Sequence, residues 1–284
     1  MLANYEILNS IGCGGYAQVF LAADHRCNRD VALKLLCTKK FSDLDWKHLK
    51  NEISSLQLLQ HKNIIGLHSV LEESDRTALV MEYALCGDLR EYINRSGHLL
   101  EYEARVIMRQ LSEALQFAHS KNILHRDVKL DNILLDESQC VKLADWGLSC
   151  ECLPGTRLTE FVGSLHYSAP EVLRGQPYGI EIDSWGAGVV LYALVTGMLP
   201  FAEDADIDDT KEAERDLRRR IRRAQYLIPN GISSSCQILI RSLLEVDPTK
   251  RLTMDQVLSH PWTRGSVINV TCQQLLYSSC SHSS

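Results

Sequence analysis

The sequence predicts an α+β fold in two unequal parts, a small one built on antiparallel strands and a large one built on helices. Three observations carry this. The first eighty or so residues hold short β-like runs around a single helical segment. After Gly87 the character changes to long stretches of helical period. Ile182 to Thr196 is almost wholly apolar, with Trp185, Val189, Val190, Leu191 and Leu194, which suits a helix buried on all sides. The boundaries read this way are 1–84 for the small part and its connecting hinge, 85–263 for the large part, and 264–284 for a Ser/Cys-rich tail.

In order along the chain, Tyr5 to Ile11 and Val19 to Ala23 are short strands flanking a glycine cluster, and Val31 to Leu36 is a third. Asp45 to Gln60 has helical period, with Leu49, Ile53, Leu56 and Leu59 on one face. Strands follow near Ile64 to Leu71 and Thr77 to Tyr83. Tyr102 to Ser120 puts Ala104, Ile107, Met108, Leu111, Leu115 and Ala118 on one stripe. Gly197, Pro200 and Pro229 punctuate the later helices, and no internal repeat is present.

Composition removes several function classes. The 284 residues are 45% hydrophobic, too apolar for a disordered chain. The net charge of −6 gives no basic field for nucleic acid. No apolar run is long enough to span a bilayer, and Met1 to Ser10 has neither a signal-peptide core nor the second-position glycine of a myristoylation start. Ten cysteines are scattered, some inside apolar segments (Cys37, Cys140, Cys236). They read as reduced, buried or half-buried thiols of a cytoplasmic or nuclear protein. Cys150-Glu151-Cys152 lacks the second ligand pair that zinc needs.

Four strings carry chemistry. Gly12-Cys13-Gly14-Gly15-Tyr16-Ala17-Gln18-Val19 joins two strands through glycines, whose backbone N–H groups can close over phosphates. Alone it reads equally as a hairpin turn, and no Gly-Lys-Ser/Thr follows to make a Walker loop. Val31-Ala32-Leu33-Lys34 puts a lysine in an apolar strand, and Glu52 on the following helix is a candidate partner. The plain alternative is a solvent-facing lysine. His125-Arg126-Asp127-Val128-Lys129-Leu130-Asp131-Asn132 is the strongest signal. It offers a carboxylate for an attacking hydroxyl, an amide oxygen for Mg²⁺ and a cation for a transferred phosphoryl group. Asp145-Trp146-Gly147 adds a carboxylate at a strand end, and Ala169-Pro170-Glu171 closes the intervening segment.

In order and spacing these strings resemble the eukaryotic protein kinase catalytic domain, from about Tyr5 to Trp262. The resemblance implies a bilobal kinase fold, with ATP and Mg²⁺ between the lobes and protein substrates. It implies Asp127 as catalytic base, Lys129 beside the phosphoryl group, Lys34 and Glu52 as the ATP-positioning pair, and Asn132 and Asp145 as metal ligands. ATP would meet Ile11, Gly12, Gly14, Gly15 and Val19 from the glycine-rich loop, and Asp88 at the cleft edge. Ala32 and Leu134 would sandwich adenine with Val19, Met81 would be the gatekeeper, and Glu82 to Ala84 the hinge. Leu56, His125 and Trp146 would stack as a spine. Asp183 would hold the catalytic loop, Glu171 would pair with Arg251, and Arg126 would read activation-loop charge, with an upstream kinase acting on that loop. Lys129 and Gly163-Ser164 are similar to the serine/threonine branch. Leu191 to Phe201 and His260-Pro261-Trp262 are similar to the calcium/calmodulin-dependent and AMP-activated group.

The departures shape the remaining expectations. Trp146 replaces the usual phenylalanine, Leu130 a common proline and Ala17 a glycine. Glu160 stands four residues before Ser164, where this group carries its activating phosphothreonine; either its carboxylate substitutes for phosphate, or Thr159 is the phosphosite. Asp88 and Asp131 match positions that read a basic residue upstream of the phosphoacceptor, and Leu165 would line the pocket for the following residue. Glu203 to Arg223 runs acidic then basic and reads as a solvated loop and helix face. The rival reading is a pseudokinase, a nucleotide-binding scaffold without turnover, supported by Trp146 alone. A dinucleotide-binding enzyme is more distant, because its glycines would join a strand to a helix.

Overall fold

The computed structural model describes residues 4–13, 17–201 and 210–265. Strands β1 (Tyr5–Cys13), β2 (Ala17–Asp24), β3 (Arg29–Cys37), β4 (Leu67–Glu73) and β5 (Arg76–Glu82) form one antiparallel sheet in the order β1-β2-β3-β5-β4. Alternation decides what each face holds. Val31, Leu33, Ala78 and Val80 join one apolar cluster, while Ala32, Leu36, Leu79 and Met81 join the main core on the other face. Lys34 lies in register between Ala32 and Leu36 and opposite Leu79, so the same parity turns it inward.

Helix α1 (Asp43–Leu58) covers that inner face. Ser42 caps it: its hydroxyl accepts from Asp45 N–H, and the Asp45 carboxylate accepts from Ser42 N–H. Ile64 and Ile65, expected in the fourth strand, lie ahead of it. Ile65 N–H donates to the carbonyl of Leu143 (3.0 Å), so this segment joins the two lobes instead of extending the sheet.

The large lobe comprises α2 (Leu89–Ser96), α3 (Glu101–Ser120), β6 (Ile123–Leu124), β7 (Ile133–Leu135), β8 (Val141–Leu143), β9 (Cys150–Glu151), α4 (Pro170–Leu173), α5 (Glu181–Thr196), α6 (Thr210–Arg222), α7 (Ser234–Leu243), α8 (Met254–Ser259) and α9 (Pro261–Arg264). The α3 stripe is buried as the periodicity predicts, and every α5 residue from Ile182 to Val195 is buried. Gly186 lets α5 approach the catalytic loop, since a Cβ there would stand 2.9 Å from both Val128 Cβ and its carbonyl oxygen. Below α5, the Arg251 guanidinium donates to both oxygens of Glu171 (2.6 and 2.9 Å).

Several expectations change. Helix α2 escaped the periodicity reading because it has only eight residues and buries only Leu89 and Ile93. Helix α6 is not simply a solvated face: Ala213, Leu217 and Ile221, spaced by four, are buried, and the helix packs on α4. Arg264, read as the first residue of the tail, is the last residue of α9, and Thr263 before it is buried. Cys13, Cys27 and Cys37 are exposed rather than half-buried. Gly14, Gly15, the acidic run Glu203 to Asp209 and residues 266–284 lie outside the described residues. Among the described residues no helix is long and apolar enough to cross a membrane.

Candidate active site

The loop 125–132 is positioned from beneath by one buried carboxylate. Asp183 on α5 accepts from the backbone N–H groups of His125 and Arg126 (both 2.9 Å) and from the ring of His119 (2.8 Å). Burial alone would raise the Asp183 pKa, but the His119 bond and these donors hold it below the usual carboxylate range. His125 Nδ1 accepts from Asp127 N–H (3.2 Å), so its Nε2 carries the proton and donates to the carbonyl of Ala144 (2.9 Å). Arg126 takes φ +67°, a conformation that non-glycine residues rarely adopt and that this web of bonds sustains.

Asp127 is buried, and both its oxygens are engaged. Oδ1 accepts from Ser164 N–H (2.9 Å); Oδ2 accepts from Lys129 Nζ (2.6 Å) and Asn132 Nδ2 (3.1 Å). Lys129 also donates to Ser164 Oγ (3.0 Å). Gly163 is required for this closeness, because at φ +90° a Cβ would lie 2.5 Å from the carbonyl of Arg126.

Across the cleft, Lys34 Nζ donates to both oxygens of Glu52 (2.6 and 2.9 Å) and stands 3.7 Å from Asp145 Oδ1. Burial presses the Lys34 pKa down, but the Glu52 and Asp145 carboxylates reverse this and leave it raised. Burial raises Glu52, the ammonium opposes it, and Asp145 adds to the rise. Asp145, at φ +60°, has its side chain half exposed, and its pKa is lowered because the nearby Lys34 and Lys129 ammonium groups, Lys34 foremost, outweigh burial.

These groups border a cavity of about 680 Å³, within the range of a small-molecule site. Ile11, Gly12, Val19, Ala32, Met81, Ala84 and Leu134 give it apolar walls. Lys34, Glu52, Asp88, Asn132 and Asp145 also line it. Glu82 lines it too, but its carboxylate is taken by Lys142 (2.5 Å) and by Gly66 N–H (3.1 Å), and its own N–H donates to the Gly66 carbonyl (2.8 Å). Asn132 spends its amide nitrogen on Asp127 and retains a carbonyl oxygen; with Asp145 this makes an all-oxygen donor set, which suits Mg²⁺. Among the described residues no three of His, Cys, Asp and Glu are placed to hold a metal ion together, so Mg²⁺ at this pair would draw its other ligands from phosphate and water.

Trp146 is fully buried with its ring edge-on to His125 (centroids 4.6 Å), in the same apolar cluster as Leu56. Its Nε1–H donates to the carbonyl of Leu143 (3.3 Å), a bond phenylalanine lacks. The segment after it is tied to α1: Ser149 Oγ donates to Trp146 O (2.6 Å) and lies 2.8 Å from Ser55 Oγ, and Asn51 donates to Ser149 O (3.0 Å).

Glu160 bridges two elements. Its carboxylate accepts from Arg126 Nη1 (3.1 Å) and from Lys47 Nζ on α1 (3.2 Å), and these bonds lower its pKa. Tyr178 O–H donates to the Glu160 carbonyl (2.8 Å), and Arg126 Nε to Leu148 O (2.6 Å). Sequence reasoning missed Lys47, Asn51, Ser55, His119 and Lys142 as partners of the site. Lys47 and Lys142 carry no motif; His119 directly follows Ala118, the last residue of a recognisable apolar stripe, and offered the only usable hint.

Comparison with known proteins matches residues 5–263 to the protein kinase domain. Over 259 residues, 91% of this chain, the sequence is 38% identical to the serine/threonine-protein kinase SIK1 of Mus musculus and equally to that of Rattus norvegicus. The chain spans about a third of the length of these relatives, 32% of each.

Proposed function

The chain belongs to the protein kinase domain family, and from that premise we propose that it transfers the γ-phosphate of ATP to serine and threonine hydroxyls of proteins. The observation that carries this is the convergence of Lys34, Asn132 and Asp145 on one cavity, with Asp127 held beside it by Asn132 Nδ2 (3.1 Å) and none of the reacting groups replaced. Asp127 orients the substrate hydroxyl and takes its proton as the oxygen attacks. The new O–P bond forms as the bond from Pγ to the bridging oxygen breaks, and ADP carries the leaving charge. Lys34, fixed by Glu52, holds the α- and β-phosphates, and Lys129 faces the charge that spreads over the transferred group. Asn132 and Asp145 would hold Mg²⁺, which neutralises phosphate charge when bound. The similarity to serine/threonine-protein kinases and the Lys129–Ser164 bond support serine and threonine over tyrosine.

A second feature of this reading is activity without phosphorylation of the loop. It is the Glu160 carboxylate that faces Arg126 and Lys47, while Thr159 is exposed. A fixed anion there compensates a buried guanidinium and draws α1, and with it Glu52, toward the loop. The pseudokinase alternative loses its one support, because the core accommodates Trp146 with its indole N–H satisfied.

The test is phosphate transfer from Mg-ATP to a mixed Ser/Thr peptide set by protein made in a host without protein kinases, beside Asp127→Ala. We expect the variant to lose at least about a thousandfold in rate, in line with loss of a group that acts only in the transition state. Nucleotide binding with no transfer by the unaltered chain would overturn the reading in favour of a scaffold.

A further inference from the structure

Asp88, Glu91 and Asp131 line the cavity where α2 packs against the 3₁₀ turn Leu130–Asn132. Left open, such carboxylates would attract a cationic side chain on an incoming peptide. Two of them are occupied from within. Asp88 Oδ1 accepts from Glu91 N–H (2.9 Å) and so caps α2. Asp131 is met by Arg90, whose Nη2 lies 3.1 Å from Oδ2 and whose Nε lies 3.5 Å from Oδ1.

Arg90 has further ties. Its Nη2 also donates to the hydroxyl of Tyr167 (2.7 Å), and its guanidinium carbon stands 6.0 Å from that ring's centroid. Tyr167 is buried in the turn that follows Ser164, whose N–H holds Asp127. Arg90 therefore joins the two chain segments that flank the approach to Asp127. A peptide that presents a hydroxyl there must pass along both.

Resting on the kinase reading, we propose that Arg90 is a specificity residue: an internal arginine that fills the anionic place a substrate's basic side chain would take. An exposed ion pair contributes little to stability, but competition is a different question. Arg90 is tethered beside Asp131 at an effective concentration of order millimolar, far above that of a peptide substrate. A peptide arginine must displace it and gains one contact at the loss of another. Selection at this place then does not depend on positive charge, which reverses the basic preference that Asp88 and Asp131 suggest in the sequence.

The test uses peptide pairs with arginine or alanine at each of five positions before the phosphoacceptor. Both kcat/KM and direct binding, in Mg²⁺ with a non-hydrolysable ATP analogue, are measured. The unaltered chain is expected to discriminate by less than about threefold at every position. Arg90→Ala is expected to prefer arginine about tenfold at one position, and Arg90→Ala with Asp131→Asn to lose that preference, each factor of ten being about 1.4 kcal/mol. Tenfold discrimination by the unaltered chain, including any read by exposed Glu91, or an unchanged ratio in Arg90→Ala, would overturn the assignment. If no peptide is phosphorylated yet the binding ratios follow this pattern, the kinase reading fails and the role of Arg90 stands.

Discussion

Two arginine–glutamate pairs anchor the large lobe, and they are built differently. Arg251 and Glu171 are 0% and 2% exposed at their side chains, while Arg126 at 2% faces Glu160 at 52%. Arg251 also donates to the carbonyls of Glu181 (2.8 Å) and Glu245 (2.9 Å) and lies over the ring of Trp185. Nothing in that pair changes without opening the core. In the second pair only the cation is buried, and the anion arrives on a surface segment. The first is a fixed joint. The second is a contact that can form or break beside Asp127, so its charge state and occupancy are suited to control.

The sharpest way to break this contrast is to remove one partner from each. Arg251→Ala should cost about 3–5 kcal/mol in chemical denaturation, because it strands a buried carboxylate. A matched apolar replacement of both Arg251 and Glu171 should recover most of that loss. A cost under about 1 kcal/mol for Arg251→Ala would mean that the core rehydrates and the joint is not fixed.

Asp183→Asn tests the carboxylate that connects α5 to the loop carrying Arg126, and should cost roughly 2–3 kcal/mol, as for charged hydrogen bonds. Its pH signature is specific. The folded pKa of Asp183 lies below its unfolded value, so its contribution is fully present above about pH 4 and is lost as pH falls through the lower folded value. The variant should therefore show a shallower fall in unfolding midpoint below pH 4.

Glu160→Ala should act the other way round. Its stability cost should stay at or below about 1 kcal/mol, since the carboxylate is half solvated. Peptide phosphorylation should nevertheless drop about tenfold, roughly 1.4 kcal/mol, as the loop and α1 lose their shared anion. Thr159→Ala should leave the rate within about twofold. The opposite result, full activity in Glu160→Ala and none in Thr159→Ala, would return control to phosphorylation. A small effect is also expected from Trp146→Phe, which removes one hydrogen bond to Leu143 and leaves a small void. Thermal and denaturant curves should register roughly 1 kcal/mol.

Much of the fold was legible because it is written in short-range pattern. Glu101 to Ser120 and Glu181 to Thr196 carry their burial in period and composition; the inward turn of Lys34 was not legible this way, because the run 31–36 is apolar at both parities and left a solvent-facing lysine open. The eight-residue α2 was illegible because two buried positions make no period. In α6 five arginines and the acids among them obscured the Ala213, Leu217 and Ile221 stripe.

The sequence by itself determined the order of elements, the loop that carries Asp127 and Asn132, and the likeness to a kinase, because these depend on residues that are neighbours in the chain. Beyond the pairs that likeness implied, Lys34 with Glu52 and Glu171 with Arg251, tertiary structure alone decided which charges meet. Lys47 lies 113 residues from Glu160, and Arg90 lies 41 from Asp131. Either carboxylate could have faced solvent, a phosphate-reading arginine or a substrate. The choice was made by where α1, α2 and the loop segments pack, a geometry set by burial of apolar faces that carry none of those charges.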